Sequence, residues 1–357
     1  MKLRFSLSAL VFGLMVLVGL FPTSIHAEKF EYIRNDSVEL GVLMDFGAGI
    51  ASFGKVGANR NLLNHADPGR LVQQSFYGDV DGSNWNGTPW RWNPVQGGCW
   101  KGNKGIVLDY KNDGRNFYAK TKPLNWGGCE EIDATMEEWI ELAGNVAHIR
   151  FKFTNGARNN TATTHQEMPA VFVDYALKNL VYYEGASPWT GAPLTRRVPG
   201  WPNSSAKPAE QWAAYVDSTD WGIGVFTPGT SEITCYRYEG DMKTGPTAGA
   251  CSYFAPVRLM TVVKAFSIEY SVYLYIGKVA AMRKEFSIIY ATGLPSQPYV
   301  PTALGSSRKG DGSRTDKAFT IAPGNQPGPW HFRYGIPERN TLEIIDPIGR
   351  QEIRIDR

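Results

Sequence analysis

Apolar and polar residues alternate with a period of two along several segments of the chain, which is the pattern of strands with one buried face. In NVAHIRFKFTN, the side chains of Ala147, Ile149, Phe151 and Phe153 share one face, and charged residues take the other. EYSVYLYIGKV and the C-terminal RQEIRIDR alternate in the same way. Each of these segments is therefore predicted to be a half-buried strand.

Glycine turns join further strand-like segments. SVELGVLMDFGAGIASFGK (37–55) predicts two strands connected by a glycine turn, and WGIGVFTPG and EITCYRYEG predict two short strands that end in turns. Helical patterns are few. IDATMEEWIELAG (132–144) has a helical composition, although short strands also fit its apolar positions, and its acidic residues predict a solvated face. KVAAMRKEF (278–286) predicts a single helical turn.

The composition supports the same fold class, because aromatic residues make up 13% of the chain and it contains 38 glycines and 22 prolines. Such a profile with scarce helix signatures is typical of all-β proteins. We expect a large antiparallel β-sandwich with long loops and few short helices. Residues 28–357 are predicted to form one domain, in which the Pro-, Gly- and Ser-rich segment 293–329 is an irregular wrap.

The N-terminus has the features of a secretory signal peptide. A positive region at Lys2 and Arg4 is followed by the uncharged apolar run 9–21 and by the small-residue sequence SIHA before Glu28. The alternative is an uncleaved membrane anchor, but the apolar run is shorter than the roughly 20 residues that span a bilayer. Residues 1–27 are therefore interpreted as a signal peptide, and the mature protein is expected to be secreted or periplasmic.

Charge excludes some partners. Cleavage would remove Lys2 and Arg4 from the 37 basic residues and none of the 34 acidic residues, which leaves 35 against 34. A nucleic-acid-binding protein needs a basic surplus, as does electrostatic docking on an anionic membrane. We expect neither partner, and we expect a monomer.

Four cysteines, Cys99, Cys129, Cys235 and Cys251, are an even number in a chain expected to be exported. Two disulfides are therefore predicted, with Cys99–Cys129 and Cys235–Cys251 as the preferred pairing among the three that four cysteines allow. The spacing contains no CxxC pair, so a zinc site is not indicated.

Two sets of segments resemble known proteins. DFGAGIASFGKVGANRNLLNHADPGRLVQQSFYG, which starts at Asp45, resembles the N-terminal part of galactose-mutarotase-like proteins, in which a glycine turn precedes a substrate-facing loop. WNPVQGG and HQEMPAVFVDYALKNLVYYEGASPWTG resemble secreted bacterial β-sandwich proteins of polysaccharide breakdown. The resemblance runs from about Ser37 to Gly229. It implies the galactose-mutarotase-like supersandwich and a saccharide ligand, without assigning a reaction.

A tryptophan-rich stretch, NWNGTPWRWNPVQGGCWKGN, lies in a segment without regular periodicity. Indole rings stack on the apolar faces of sugars, and polar neighbours bind the hydroxyl groups. The stretch contains four indoles, Trp85, Trp90, Trp92 and Trp100, and the polar residues Asn84, Asn86, Arg91, Asn93 and Gln96. We interpret it as a sugar-binding platform, with Trp85, Trp90, Trp92, Asn93 and Gln96 as substrate contacts. The alternative is that the indoles cover one end of the core.

Further substrate contacts are predicted outside this stretch. Arg70 can hold a carboxylate in bidentate fashion. Gln73 and Gln74 point to opposite faces of a strand, so at most one of them faces a site, and Gln74 is the candidate. Trp189 is a second possible stacking surface.

Asp79 and Asp81 suggest calcium, but their loop departs from an EF-hand, since Asn84 replaces the glycine at position six and Trp90 the glutamate at position twelve. No cofactor is expected, with a calcium site of another type as the alternative to a solvated turn.

HQE contains the best catalytic candidates. His165 and Glu167 are two residues apart, so on a strand both side chains face the same way and can divide acid and base duties. Tyr77 is the third candidate, as a proton donor or acceptor. The alternative is that His165 and Glu167 form a solvent-exposed pair at a loop edge.

We expect a carbohydrate-active protein that acts on a polysaccharide or oligosaccharide. A polysaccharide lyase is slightly favoured, with His165, Tyr77 and Arg70 as base, acid and carboxylate partner. A glycoside hydrolase needs two carboxylates, and the possible pairs join Glu167 with Asp79, Asp81 or Asp174. A non-catalytic carbohydrate-binding protein and a structural surface protein with packed tryptophans are the alternatives.

Overall fold

Two large antiparallel sheets are stacked on each other in a computed structural model, which describes residues 28–296, 341–345 and 352–356. The predicted all-β antiparallel sandwich with few helices is confirmed. The predicted signal peptide, residues 1–27, lies outside the described residues. So does most of the predicted wrap, from residue 297 onwards.

The structure contains twenty-three strands, one α-helix and one 3-10 turn within the described residues. The helix is α1 (Val279–Thr292), and the 3-10 turn is Met44–Phe46. In chain order the strands are β1 (Phe30–Arg34), β2 (Val38–Leu43), β3 (Gly49–Lys55), β4 (Val72–Ser75), β5 (Val80–Trp85), β6 (Thr88–Arg91), β7 (Pro94–Val95), β8 (Ile106–Asn112), β9 (Asn116–Lys122), β10 (Leu124–Asn125), β11 (Ala134–Ala143), β12 (Val146–Asn155), β13 (Thr163–Asp174), β14 (Asn179–Tyr182), β15 (Thr195–Arg197), β16 (Ser204–Ala206), β17 (Trp212–Val216), β18 (Trp221–Phe226), β19 (Ile233–Tyr238), β20 (Cys251–Thr261), β21 (Ser267–Lys278), β22 (Thr341–Ile345) and β23 (Glu352–Asp356).

Ten strands form sheet I, in the order β1-β2-β3-β4-β13-β20-β19-β16, with β7 beside β4 and β10 beside β7. Nine strands form sheet II, in the order β15-β14-β17-β18-β21-β12-β11-β9-β8. The strands β5 and β6 make a separate hairpin, and β22 pairs with β23. The segment 132–144 is thus mainly strand β11, as its apolar spacing allowed, and not a helix.

The main core lies between the sheets and follows the predicted alternation. On β12, Ile149, Phe151 and Phe153 are fully buried there, while the polar residues between them point outward. On β4 and the residues after it, Phe76 points inward and stacks on Phe153, with ring centroids 4.0 Å apart. Ser75 points the other way. We call the side of sheet I that faces away from sheet II, which carries Ser75, Tyr77, His165, Glu167, Tyr236 and Tyr253, the front face.

A β-bulge interrupts β13 next to Glu167. Glu167 lies opposite Val257 and Val171 opposite Phe254, so four steps along β13 match three along β20. One extra residue therefore sits between Glu167 and Ala170, and the register with β4 shifts at the same place. Bulges bend a strand and redirect its side chains. This bulge allows Glu167 and Ala170 to share the front face, although they are three residues apart.

The helix α1 is longer than the single turn that the sequence predicted, and it packs on the outer side of sheet II. Its buried residues Val279, Met282, Phe286 and Ile289 join a second core there. Glu210 is fully buried beneath it. Arg283 binds both carboxylate oxygens of Glu210, at 2.6 and 2.9 Å, and so fixes the helix to the sheet. No helix in the described part of the chain is long and apolar enough to cross a membrane.

One of the two predicted disulfides forms. Cys99 is bonded to Cys129, whereas Cys235 and Cys251 are free and buried. The predicted Cys235–Cys251 bond is wrong because the two side chains point to opposite faces of sheet I. Cys235 lies opposite Phe254 and packs in the main core with it, and Cys251 lies opposite Tyr238 on the front face.

Glu138 points from β11 into the core and is fully buried, so the predicted solvated face is wrong at this residue. Gln96 donates to its Oε2 from Nε2 at 3.1 Å. Its Oε1, the Oε1 of Gln74 and the hydroxyl of Tyr270 are buried without a hydrogen-bond partner among the described residues. Burial raises the pKa of Glu138 to about 8, despite the opposing hydrogen bond from Gln96.

Replacing Glu138 with glutamine should flatten the dependence of stability on pH. The folded-state pKa of Glu138 lies above its ordinary value of 4.5, so the folded protein keeps a proton that the unfolded chain releases. The unfolding free energy of the wild type should therefore fall by a few kcal/mol as the pH rises from near 5 to near 8. The decrease that comes from residue 138 should be absent in Glu138→Gln. Urea unfolding at both pH values measures the difference. An unchanged pH dependence in the variant would contradict the assignment.

Removing the partner of Glu210 should destabilise the fold strongly. Arg283→Met leaves a buried carboxylate unpaired, which costs roughly 3–5 kcal/mol. The double variant Arg283→Met/Glu210→Gln removes the charge as well and should recover part of that loss. Chemical denaturation of both variants tests this, and equal stability of wild type and Arg283→Met would rule out the described ion pair.

Candidate functional site

Glu167 lies at the centre of the front face, on β13, with its side chain half-buried. Its carboxylate accepts a short hydrogen bond from the hydroxyl of Tyr253 on the neighbouring strand β20. The hydroxyls of Ser75 and Tyr77 also hydrogen-bond to it. The alternation of β13 sends Gln166 to the opposite side, where it bonds the backbone of Tyr77. Glu167 is therefore held by hydroxyl groups from both flanking segments.

This setting changes the acidity of the groups in it. Burial raises the pKa of the Glu167 carboxyl, although the hydrogen bonds from Tyr253, Ser75 and Tyr77 act in the opposite direction. Burial, and then the negative charge of Glu167, raise the pKa of Tyr77 and of Tyr253 well above the ordinary tyrosine value. The two phenols therefore stay protonated at neutral pH and donate hydrogen bonds to Glu167. Glu167 is the group whose protonation can change.

His165 shares the front face with Glu167, as its spacing predicted, but it has a different partner. Its side chain is 50% exposed, and its Nε2 lies 3.6 Å from the carboxylate of Glu232. The predicted histidine–carboxylate couple thus consists of His165 and Glu232 in this structure. Glu167 is instead coupled to tyrosine hydroxyls.

A chain of hydrogen bonds connects Glu167 to the tryptophan-rich stretch. Asn93 is buried and donates from Nδ2 to the hydroxyl of Ser75 at 3.2 Å. The indole of Trp90 donates to Oδ1 of Asn93 at 3.1 Å. Asn93 was predicted to contact substrate directly, but its buried position makes it a connector between the indole and the carboxylate environment.

The hairpin β5–β6 carries two of the four predicted platform tryptophans. Trp85 packs edge to face on Trp90, with ring centroids 4.8 Å apart, and on Trp126 at 5.9 Å. We call Trp85, Trp90 and Trp126 the indole cluster. Trp85 is 38% exposed. Trp92 is buried in the main core, and the indole of Trp100 donates to the carbonyl oxygen of Gly127 at 3.1 Å. The tryptophan-rich stretch therefore supplies indole rings both to the core and to the surface.

A second aromatic group lies on the other side of Glu167. Tyr253 packs on Tyr236, with ring centroids 4.5 Å apart, and Tyr236 packs on Trp201 at 4.8 Å. Trp201 also contacts Tyr238 at 5.3 Å. We call Tyr236, Tyr238 and Trp201 the distal aromatic cluster. These residues were not among the predicted substrate contacts, although the alternation in CYRY places Tyr236 and Tyr238 on one face of a strand.

Arg70 lies along one edge of the front face. Its Nε lies 3.1 Å from the carboxylate of Asp67, and its Nη1 donates to the carbonyl oxygen of Gly249 at 2.6 Å. The guanidinium lies over the ring of Tyr238 at 5.6 Å. A Cβ on Gly69 would lie 2.6 Å from Trp126, so only glycine lets the loop approach the indole cluster this closely. Residues 67–70 thus run between the two aromatic clusters.

Three predicted substrate contacts lie away from this face. Gln74 is fully buried between the sheets and donates to the carbonyl oxygen of Glu137, so it points opposite to Ser75. Gln96 is buried in the same region, bonded to Glu138. Trp189 stacks on Tyr290 of α1, at a ring distance of 5.0 Å, on the outer side of sheet II. The packing of these side chains, not a ligand, accounts for their positions.

The carboxylates that suggested calcium have protein partners. Asp79 accepts hydrogen bonds from the backbone of Thr161 and Ala162, which lower its pKa. Asp81 accepts from the backbone of Ser83 and from the side chain of Asn125. Within the described ranges, no group of three or more His, Cys, Asp or Glu residues is arranged to hold a metal ion.

The fold is similar to solved structures of galactose-mutarotase-like proteins. These include a galactose mutarotase-like protein from Lactobacillus casei (12% identity, 70% of this chain and 100% of that chain, TM-score 0.44). They also include an aldose epimerase homologue from C. elegans (12%, 71% and 100%, TM-score 0.43) and a galactose mutarotase related enzyme from Lactobacillus acidophilus (10%, 70% and 97%, TM-score 0.41). No protein-family model and no curated protein matches the sequence. Likeness at this level establishes neither a family nor an activity for this chain.

Replacing Asn93 with alanine should disconnect the indole cluster from the site. The variant leaves Trp90 without its acceptor and removes the donor to the Phe76 carbonyl oxygen, so we expect a loss of roughly 1–3 kcal/mol in unfolding free energy. Asn116→Ala is a matched control, since that asparagine lies on β9 in sheet II, outside the connection between Trp90 and Ser75. Urea unfolding followed by tryptophan fluorescence measures both. Equal stability of Asn93→Ala and wild type would show that the connection is not formed.

Proposed function

We propose that this chain is a carbohydrate-active protein that binds a saccharide on the front face and moves a proton on it with Glu167. The observation that carries the proposal is one carboxyl group, raised in pKa and surrounded by tyrosine hydroxyls, between two clusters of aromatic rings. Aromatic faces bind the apolar sides of sugar rings, and a carboxylate whose pKa is raised is a stronger base than an ordinary glutamate.

The residues bonded to Glu167 favour elimination over hydrolysis. Elimination needs a base beside a group that can protonate the leaving oxygen, and the groups that contact Glu167 are the hydroxyls of Tyr253, Ser75 and Tyr77. In an elimination, ionised Glu167 takes the proton from the carbon that bears a uronate carboxylate. Those electrons form a carbon–carbon double bond, the neighbouring carbon–oxygen bond breaks, and the leaving oxygen takes the proton of Tyr77. A polysaccharide lyase is therefore the favoured reaction.

Arg70 is the candidate partner for the uronate carboxylate in this reaction. Its Nε and Nη1 bind Asp67 and Gly249, so Nη2 is the nitrogen proposed to bind the carboxylate. This is a single hydrogen bond and not the bidentate contact that the sequence suggested. Arg70 therefore orients the sugar more than it neutralises the charge of the uronate carboxylate.

A non-catalytic carbohydrate-binding protein is the second candidate. It is favoured by the exposed rings of Trp85 and Trp201, which can bind glycan without any part played by Glu167. The two functions differ in one respect, since only the enzyme produces new chemical species from the glycan.

An exported location is part of the proposal. The bond between Cys99 and Cys129 supports it, because disulfides persist mainly in secreted and periplasmic proteins.

Glu167→Gln should abolish activity on a glycan that the wild type processes, and Tyr77→Phe should lower kcat by about 100-fold or more, because each removes a proton-transfer group. Absorbance near 235 nm, where unsaturated uronates absorb, and a reducing-end assay distinguish elimination from hydrolysis. Glu232→Gln is the control variant, because Glu232 is the carboxylate next to His165 and is not one of the groups bonded to Glu167.

The midpoint of the acidic limb of the pH–rate profile should lie at a higher pH than the ordinary glutamate pKa. Glu167 acts as a base only when ionised, and burial raises its pKa, so activity should increase with pH through that raised value. Full activity of Glu167→Gln would refute the catalytic proposal. Glycan binding without any product would favour the binding protein.

A further inference from the structure

The front face carries aromatic rings on both sides of Glu167, and the two sides are far apart. Asn93 lies next to β7, and Tyr236 lies on β19, with β4, β13 and β20 between these strands in the order of sheet I. Four inter-strand steps separate β7 from β19, which is roughly 19 Å at the usual strand spacing. A single sugar ring covers only part of this distance.

Contacts continue from Glu167 to both clusters. On one side they pass through Ser75 and Asn93 to Trp90. On the other side they pass through the rings of Tyr253 and Tyr236 to Trp201, in steps of 4.5 and 4.8 Å. The carboxyl group therefore lies between the two clusters.

The position of Trp201 is fixed although its ring is 58% exposed. The carbonyl oxygen of Gly200, immediately before it, accepts a hydrogen bond from the backbone of Arg237 at 3.2 Å. After it, the side chain of Asn203 donates to the hydroxyl of Thr234 at 3.2 Å. Both anchors are on β19. A large ring that is held in place while it remains in water is suited to binding, because little freedom is lost when a ligand covers it.

The geometry points to an extended binding surface along the front face that takes an internal stretch of a glycan chain, with Trp201 and Tyr238 as a distal sugar-binding subsite. This inference rests on the proposed function and defines its substrate class. The substrate is an oligosaccharide or polysaccharide that contacts the indole cluster, Glu167 and Trp201 together. A monosaccharide contacts only the centre.

The test is the dependence of affinity on glycan length. Calorimetry with Glu167→Gln, which removes turnover, measures binding of neutral and uronic oligosaccharide ladders from monosaccharide to hexasaccharide. Affinity should increase with length. Adding Trp201→Ala should weaken hexasaccharide binding about tenfold and leave the shortest ligand that binds unchanged, as expected for removal of one aromatic anchor. Trp201→Phe should retain most of the affinity.

Tyr290→Ala is the matched control, because Tyr290 is similarly exposed at 54% but belongs to α1 on the other sheet. An equal loss at every length, or no loss at any length, with Trp201→Ala overturns the distal subsite while the proposed function stands. Absence of binding by every ladder overturns both. Circular dichroism of each variant separates loss of binding from loss of folding.

Discussion

A carboxyl group that is partly removed from water must be hydrogen-bonded, and in this protein hydroxyl groups from two neighbouring segments supply those bonds to Glu167. Tyr253 comes from β20 on one side, and Ser75 and Tyr77 come from β4 and the residues after it on the other. The central three strands of the front face must therefore keep their register for the site to exist. The bulge in β13 lies directly beside Glu167 and shifts the register with both neighbouring strands at the same place.

The same register determines what surrounds the carboxyl group. Ser75 binds Asn93, Asn93 binds Trp90, and the indole cluster is attached in this way to the middle of sheet I. Tyr253 packs on Tyr236, and the distal aromatic cluster is attached on the opposite side. Sheet II and α1 contribute the core and stability, with the buried Glu210–Arg283 pair holding the helix. The two aromatic clusters and the carboxyl group between them thus depend on the strand order of one sheet.

Much of the fold was predictable because the alternation of β12 is strict and burial follows it from Ala147 to Asn155. On β21 both faces are buried, since Tyr273 and Tyr275 pack in the second core with α1. The local sequence pattern did not predict which side chains meet in the folded structure. Cys235 and Cys251 are neighbouring cysteines in the sequence, but the pairing of β19 with β20 places their side chains on opposite faces of sheet I. Glu138 lay within an acidic run, and only the packing of sheet II shows that it points inward.

The candidate site shows the same limit of local pattern. Glu167 and Tyr77, both selected from the sequence, are brought into contact by the structure, and Trp85 and Trp90 of the indole stretch pack on each other. Tyr253 and Trp201 were missed because they come from distant parts of the sequence and meet Glu167 only through the order of sheet I. His165 was placed on the correct face, but its nearest carboxylate is on Glu232, which no local spacing could indicate.

The most direct measurement is a crystal structure of Glu167→Gln with a bound oligosaccharide. Our account predicts sugar rings stacked on Trp85 or Trp201, with one ring at hydrogen-bond distance from residue 167 and from the hydroxyl of Tyr77. A glycan bound on the outer side of sheet II, or one that contacts aromatic rings but stays away from residue 167, would contradict it.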